Sequence, residues 1–206
     1  MEDVRSGGRA GRSGGEPARQ LVRTCLWRWL RGTGLERFDL LREGGGWLLR
    51  GTILALGDRR SAEAHYEVFC DSAWHTRRAD IRLDEEGGER SLRLTVENGR
   101  WYEDGRKRDT VRGSLDLDLG WSPSTNTLPI RRLNLGVGES SGAVTAAWVR
   151  FPELTLEPLP QEYRRLSERR YRYTSRAGAF TAEIDVDDHG LVIDYGDVWQ
   201  RVGEVR

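Results

Sequence analysis

The chain has 206 residues, 33 basic and 33 acidic side chains, a formal net charge of zero and 37% hydrophobic residues. Neutrality argues against a nucleic-acid partner, because phosphate binding draws on a one-signed excess of cations. The length still suffices to bury roughly 70% of the extended-chain surface in one core, and eight Trp, six Tyr and four Phe fill that core with few, bulky side chains.

Residues 1–19, rich in Gly, Ser and Arg, have almost nothing to bury and are expected to form a disordered tail. Residues 20–206 are expected to form one domain, since no fixed-period repeat or interior linker divides them. From Leu21 the dominant period is two, broken every eight to twelve residues by turn chemistry, the pattern of an antiparallel all-β fold. Gly44-Gly45-Gly46 reads as a hairpin loop. Asn98-Gly99, between Val96 and Trp101, reads as a two-residue type I′ hairpin, and Glu86-Gly87-Gly88, Asp104-Gly105 and His189-Gly190 mark further turns. The clearest strand is Ser114 to Ser122, where Leu115, Leu117, Leu119 and Trp121 alternate with Asp116, Asp118 and Gly120. Thr125 to Leu133 contains Pro129 and is too polar for a central strand. Strands are expected again over Val144–Val149, Glu153–Glu157, Arg170–Ser175, Ala179–Val186 and Leu191–Tyr195, with Gln161–Ser167 either a short helix or a polar edge strand. Ten to twelve strands in one series predict a single large sheet that must curl, close or split.

Several chemistries lack their signatures. Cys25 and Cys70 are too few for a disulfide scaffold, have no C-x-x-C spacing and are expected to be free and buried. His65, His75 and His189 are scattered, so neither a metal nor a cofactor is expected. Gly138-Glu139-Ser140-Ser141-Gly142 has the letters of a nucleophile elbow but sits in a Gly-rich turn before a strand. No apolar run reaches the 18 residues of an integral membrane segment, and Gly and Arg occupy the N-terminus where a secretory signal would be apolar, so a cytoplasmic location is expected.

The most unusual segment is Leu115 to Leu133. Its turn through Ser122-Pro123-Ser124 into Thr125-Asn126-Thr127 and on to Pro129-Ile130-Arg131-Arg132 is rich in hydrogen-bonding groups between apolar anchors. It reads either as a satisfied structural loop crossing the end of the sheet or as a ligand rim, with Asn126 and the threonines for a polar headgroup and Arg131 or Arg132 for an anion. Asp116 and Asp118 lie about 7 Å apart along a strand, a spacing used by acid/base pairs, and Asp71 and Glu36 can join them. The alternative is a solvated acidic face. Tyr171 and Tyr173 alternate with Arg172, so either the tyrosines or the arginine faces the concave side. Trp47, Trp74, Trp101, Trp121 and Trp148 sit in strand-like segments where core packing is the commoner use.

Asp116-Leu117-Asp118-Leu119 followed by Thr125-Asn126-Thr127-Leu128-Pro129-Ile130-Arg131-Arg132-Leu133 closely resembles the hallmark of the putative glycolipid-binding family, a bacterial family first catalogued as a domain of unknown function. Gly34-Leu35-Glu36, Cys70 to Arg77, Asn98 to Trp101, Tyr171 to Ser175 and Gly190-Leu191-Val192 before Trp199 add to the likeness. Ser114 stands where that pattern leads one to expect Cys. The resemblance implies a strongly curved antiparallel sheet with few or short helices, similar to the half-barrel of bacterial lipoprotein carriers, with a concave apolar face. The function it implies is non-covalent binding of a lipid or glycolipid in that concavity. The candidate ligand-binding set is Glu36, Asp71, Trp74, Arg77, Asp116, Asp118, Thr125, Asn126, Thr127, Arg131, Arg132, Tyr171 and Tyr173. Two other readings stand beside it: an enzyme acting on a lipid-linked or sugar substrate through Asp116, Asp118 and Glu36, and a protein-interaction module with a filled core. The oligomeric state is not legible.

Overall fold

The computed structural model describes residues 18–57 and 61–205. The tail expected at 1–19 lies outside the described residues except for Ala18 and Arg19, and Arg19 already belongs to the first strand. The first half is a meander of β1 (Arg19–Trp29), β2 (Thr33–Glu43), β3 (Gly46–Leu56), β4 (Ser61–Cys70), β5 (Thr76–Glu85), β6 (Gly88–Glu97), β7 (Arg100–Glu103) and β8 (Arg106–Arg108). A crossing segment with β9 (Leu117–Leu119) and the short helix α1 (Thr127–Leu133) leads into the second meander. That meander comprises β10 (Val144–Arg150), β11 (Thr155–Arg165), β12 (Arg170–Ser175), β13 (Phe180–Val186), β14 (Val192–Tyr195) and β15 (Trp199–Val205).

β15 pairs antiparallel with β1 and joins both meanders into one fifteen-stranded sheet with β8 and β9 at its edges. β9 runs parallel to β10, and every other neighbouring pair is antiparallel. The turns follow their chemistry: Gly44-Gly45 (φ 54° and 82°) and Asn98-Gly99 (φ 51° and 71°) have the two positive φ angles of a type I′ hairpin. Strand number exceeds the ten to twelve expected in part because β7 and β8 have only four and three residues, too short for an alternation to register.

The sheet bends where extra residues enter the ladder, at Leu26/Trp27 against β15, Leu21/Arg23 against β2 and Phe69/Cys70 against β5. Its two ends approach without a ladder between β8 and β9. Arg90 on β6 donates to the carbonyls of Pro152 (2.6 Å) and Glu153 (3.3 Å), and Arg108 on β8 donates to that of Leu156 (3.2 Å). The Thr76 N–H donates to the Leu115 carbonyl, and the Leu117 N–H to Thr76 Oγ1, each at 3.0 Å. The result is barrel-like in outline but not closed, its edges bridged by arginine side chains and isolated hydrogen bonds.

Three local expectations change. The strand drawn over Ser114–Ser122 is reduced to Leu117–Leu119, because Asp116 is bound by an arginine and the chain turns at Gly120. Glu153–Glu157 and the ambiguous Gln161–Ser167 largely merge into β11, paired on both sides, whose Gln161 and Tyr163 face inward while Glu162 and Arg164 face water. Thr125–Leu133 is a 3₁₀ turn (Ser124–Asn126) running into α1. Pro129 is tolerated there because the first N–H groups of a helix have no intrahelical acceptor, and Asn134 in the left-handed region (φ 44°) ends the helix. Cys25 and Cys70 are free and fully buried, and burial pushes both thiols up, Cys25 to about 12.

Candidate functional site

Alternation places Trp27, Glu36, Phe38, Leu49, Ile53, Tyr66, Val68 and Ile81 on the concave face of the first meander. Tyr163, Tyr173, Ile184 and Tyr195 face inward from the second. The sheet does not leave this space open. Residues 122–130 are buried throughout, and Leu117, Leu119 and Leu128 are at most 1% exposed. The segment expected to form a rim is therefore an internal plug, and the large empty concavity implied by the resemblance is occupied by the chain itself. In this respect the interior matches the filled-core reading.

Polar side chains fasten the plug. Glu36 on β2 is fully buried, and its Oε1 accepts from Ser122 Oγ (2.8 Å) and from the Tyr66 hydroxyl. Ser124 Oγ lies 2.7 Å from the same Tyr66 oxygen. Tyr66 reaches across β3 because Gly51 opposes it: a Cβ at position 51 would sit 2.4 Å from the tyrosine ring. Burial raises the Glu36 carboxyl to about 8 against the opposing effect of the two hydroxyls, so it is protonated at neutral pH. Its Oε2 is buried without a hydrogen-bond partner. Asp116 and Arg132 form a bidentate pair at 2.9 and 2.5 Å, joining the start of the crossing segment to the end of α1. Thr125 Oγ1 accepts the Leu119 N–H, Thr127 Oγ1 donates to the Gly190 carbonyl, and Asn126 Oδ1 accepts from the Tyr163 hydroxyl.

The remaining candidates separate. Asp71 organises the turn after β4, accepting the N–H groups of Ala73 and His75 and the Arg77 guanidinium. Burial would raise its carboxyl, but those bonds together hold it below the usual carboxylate range. Trp74 stacks on Trp47 with ring centroids 4.5 Å apart, and the Arg131 guanidinium lies 5.6 Å from its ring. Tyr171 and Tyr173 share the inner face and Arg172 points outward, but Tyr171 and Arg131 belong to a separate polar cleft near Asp187 and Asp188.

Three candidates do meet at one surface. Asp118, Asn126 and Tyr173 line a cavity of about 260 Å³ left beside the plug, together with Ser122 and Ser175. Aromatic walls come from Trp148 on β10, Phe180 on β13, Tyr195 on β14 and Trp199 on β15, and Arg31 and Arg176 stand at its margin. Tyr173 lies in ring contact with Tyr163, Phe180 and Tyr195, centroids 5.0 to 6.0 Å apart. Burial raises the Asp118 carboxyl to about 6, opposed by the Gln161 amide bonded to it and by the Arg176 charge, and reinforced by Asp116. Gln161 Nε2 also donates to the Tyr173 hydroxyl at 3.0 Å, which fixes both groups at the cavity wall. Trp148, Phe180, Tyr195 and Trp199 were not singled out as site residues from the sequence. Their inward parity on strands was the available signal, but parity alone does not separate a packed ring from a cavity wall.

Asp116 is committed to Arg132, and Glu36 lies behind Ser122 and Tyr66, so the three carboxylates of the enzymatic reading do not converge on one open surface. Among the described residues lining the cavity, Asp118 is the only carboxylate. No cluster of three or more His, Cys, Asp or Glu able to hold a metal occurs among the described residues. No helix among them is long and apolar enough to cross a membrane.

Fold and cavity together define a barrel-like β protein with a self-plugged interior and an aromatic pocket bearing a half-buried carboxylate. The chain belongs to the family described as putative glycolipid-binding, which matches residues 24–201. It is similar to the crystal structure of a DUF1089 family protein from Pseudomonas aeruginosa, with TM-score 0.73 and 29% identity over 98% of this chain and 100% of that one. It also resembles in fold the beta-barrel-like protein of domain of unknown function DUF1849 from Brucella abortus, with TM-score 0.53 and 11% identity over 92% and 97% of the two chains. No curated protein matches it.

Proposed function

We propose that the protein binds an amphiphile non-covalently and that the headgroup, a polyhydroxylated ring of the kind a glycolipid carries, occupies the cavity beside the plug. The observation that carries this reading is the composition of the cavity wall. Aromatic faces from Tyr173, Trp148 and Trp199 surround hydrogen-bonding groups of Asp118, Asn126, Ser122 and Ser175. Flat rings suit the apolar face of a sugar, and a carboxylate beside amide and hydroxyl groups suits its hydroxyls. Size decides which part of the ligand enters. At about 260 Å³ the cavity falls just below the roughly 300 Å³ at which small-molecule sites begin, so it fits one ring and not a whole lipid.

Organic extraction of the purified protein, followed by mass spectrometry, is expected to yield an amphiphile with a glycosyl headgroup in stoichiometric amount from the native chain and in reduced amount from Trp148→Ala. Protein that carries no amphiphile, and that shows no saturable binding across a broad panel of glycolipids, would remove the reading.

A further inference from the structure

The end of the sheet beside the cavity carries a second concavity, an open groove of about 750 Å³ across the ends of β1 to β5. It runs over the strand ends: Trp29, Ala55 and Ala62 border it from the inner face, and Leu35, Leu54 and Leu56 from the outer face. Leu35, Leu54 and Leu56 are 41%, 51% and 56% exposed, and Leu35 is the direct cross-strand partner of Leu54. Exposed leucines scattered singly are ordinary, but several gathered in one concavity mark a binding surface.

Trp29 connects this groove to the cavity. Its indole stacks on Trp199, centroids 6.2 Å apart and planes 21° from parallel, and Trp199 lines the cavity while Trp29 lines the groove. Trp29 can lie there because the neighbouring turn is bare: a Cβ at Gly32 would approach its ring to 2.6 Å, and one at Gly34 to 3.4 Å. A tail leaving a headgroup in the cavity has no room inward, where Leu117, Leu119 and Leu128 fill the interior. Outward, past the stacked indoles and over the strand ends, it meets the leucines of the outer face. Three acidic side chains, Glu63, Asp84 and Glu85, border the groove against one cation, Arg28, which makes it a poor place for a carboxylate or phosphate and leaves an uncharged chain as the suited occupant.

We propose that the groove holds the aliphatic tail of the amphiphile, so that the ligand lies with its ring in the cavity and its chain along the outer end of the sheet, the Trp29–Trp199 stack forming their common wall. This rests on the headgroup reading above. It places the lipid chain outside the barrel instead of in its concavity.

The test is calorimetric titration of the full chain with methyl, butyl, hexyl and octyl β-glucoside, each below its micelle-forming concentration, and with octanoate. A fully buried methylene contributes about a factor of four in affinity, and one lying in a groove open on one side about a factor of two. The expected result is about a twofold gain per methylene from butyl to octyl. Leu54→Glu and, separately, Leu35→Glu should abolish that gain while methyl glucoside binding stays unchanged, and octanoate should bind at least tenfold more weakly than octyl glucoside. Both leucines are substantially exposed, and a thermal melt of each variant confirms the native fold. An octyl glucoside no tighter than the methyl compound, or a chain-length gain preserved in both leucine variants, overturns the groove assignment and leaves the cavity standing. Octanoate binding as tightly as octyl glucoside overturns the link between groove and cavity. Failure of every glucoside to bind overturns the headgroup reading, and the groove proposal falls with it.

Discussion

Two carboxyls, the fully buried Glu36 and the half-buried Asp118, have been raised by their burial, in different parts of the fold. Glu36 has a folded value near 8 against an ordinary value of 4.5. The folded state therefore holds a proton that the unfolded chain has released, and stability falls as pH rises from about 4.5 to about 8, then levels off. Glu36→Gln removes this dependence, keeps an acceptor for Tyr66 and Ser122, and is expected to stabilise the protein at pH 8 by on the order of 3 kcal/mol relative to its effect at pH 4.5. Denaturant unfolding at the two pH values measures it, and parallel losses at both would contradict the protonated assignment. Asp118 contributes a loss of the same sign at lower pH, between its ordinary 3.8 and about 6. The role proposed for it at the cavity is separate: an ionised carboxylate would accept from the hydroxyls of the proposed headgroup, whereas the protonated form would donate. Glycoside affinity is expected to weaken about tenfold as pH falls from 7 to 5, and Asp118→Asn should show the weak affinity at both values. Besides burial, Gln161, Arg176 and Asp116 are the groups that act on the Asp118 carboxyl, and an unchanged pH profile in Asp118→Asn would exclude it as the titrating group. Ser114, where the family pattern leads one to expect Cys, is buried with its hydroxyl unpartnered.

The plug is the element that sets this fold apart from an open half-barrel, and its anchors are ionic and hydroxylic. Arg132 keeps a bidentate grip on Asp116 in a site where both side chains are largely buried. Removing one partner of such a pair costs about 3–5 kcal/mol, because the other is left charged and uncompensated. Arg132→Met is expected to lose about that much in denaturant unfolding, and the double change Arg132→Met with Asp116→Leu should recover much of it; equal losses in both would show that the pair does not hold the segment. This element was also the least legible part of the sequence. The hairpins were readable because Asn98-Gly99 and Gly44-Gly45 carry their geometry in two residues. The plug was not, since α1 has seven residues with Pro129 within its first turn, and Asp116 and Asp118 alternate with leucines as they would on a half-exposed strand. In fact Leu117 and Leu119 are buried, Asp116 is held by Arg132 and Asp118 by Gln161, and the Leu117 N–H is bonded to Thr76, and nothing in a local pattern reveals polar positions whose partners lie so far along the chain.

At the scale of the molecule, the sequence specified a single strongly bent sheet because period-two patterning runs through most of the chain from Leu21 onward. It could not specify what fills the bend. Inward positions are apolar whether they meet a foreign lipid or the protein's own Leu117, Leu119 and Leu128, so the expected hollow and the observed plug have the same signature on the strands. The consequence for the proposed function is a change of place: the space proposed for ligand is at the end of the barrel, in a ring-sized cavity of about 260 Å³ and an apolar groove of about 750 Å³, with Trp199 lining the first and Trp29 the second. A crystal structure with octyl glucoside tests this directly. The expected result is a sugar ring against Asp118 and Tyr173 with the octyl chain passing Trp29 toward Leu54. A glycoside seated elsewhere while that cavity stays vacant, or an octyl chain driven into the barrel by displacing Leu128, would contradict it.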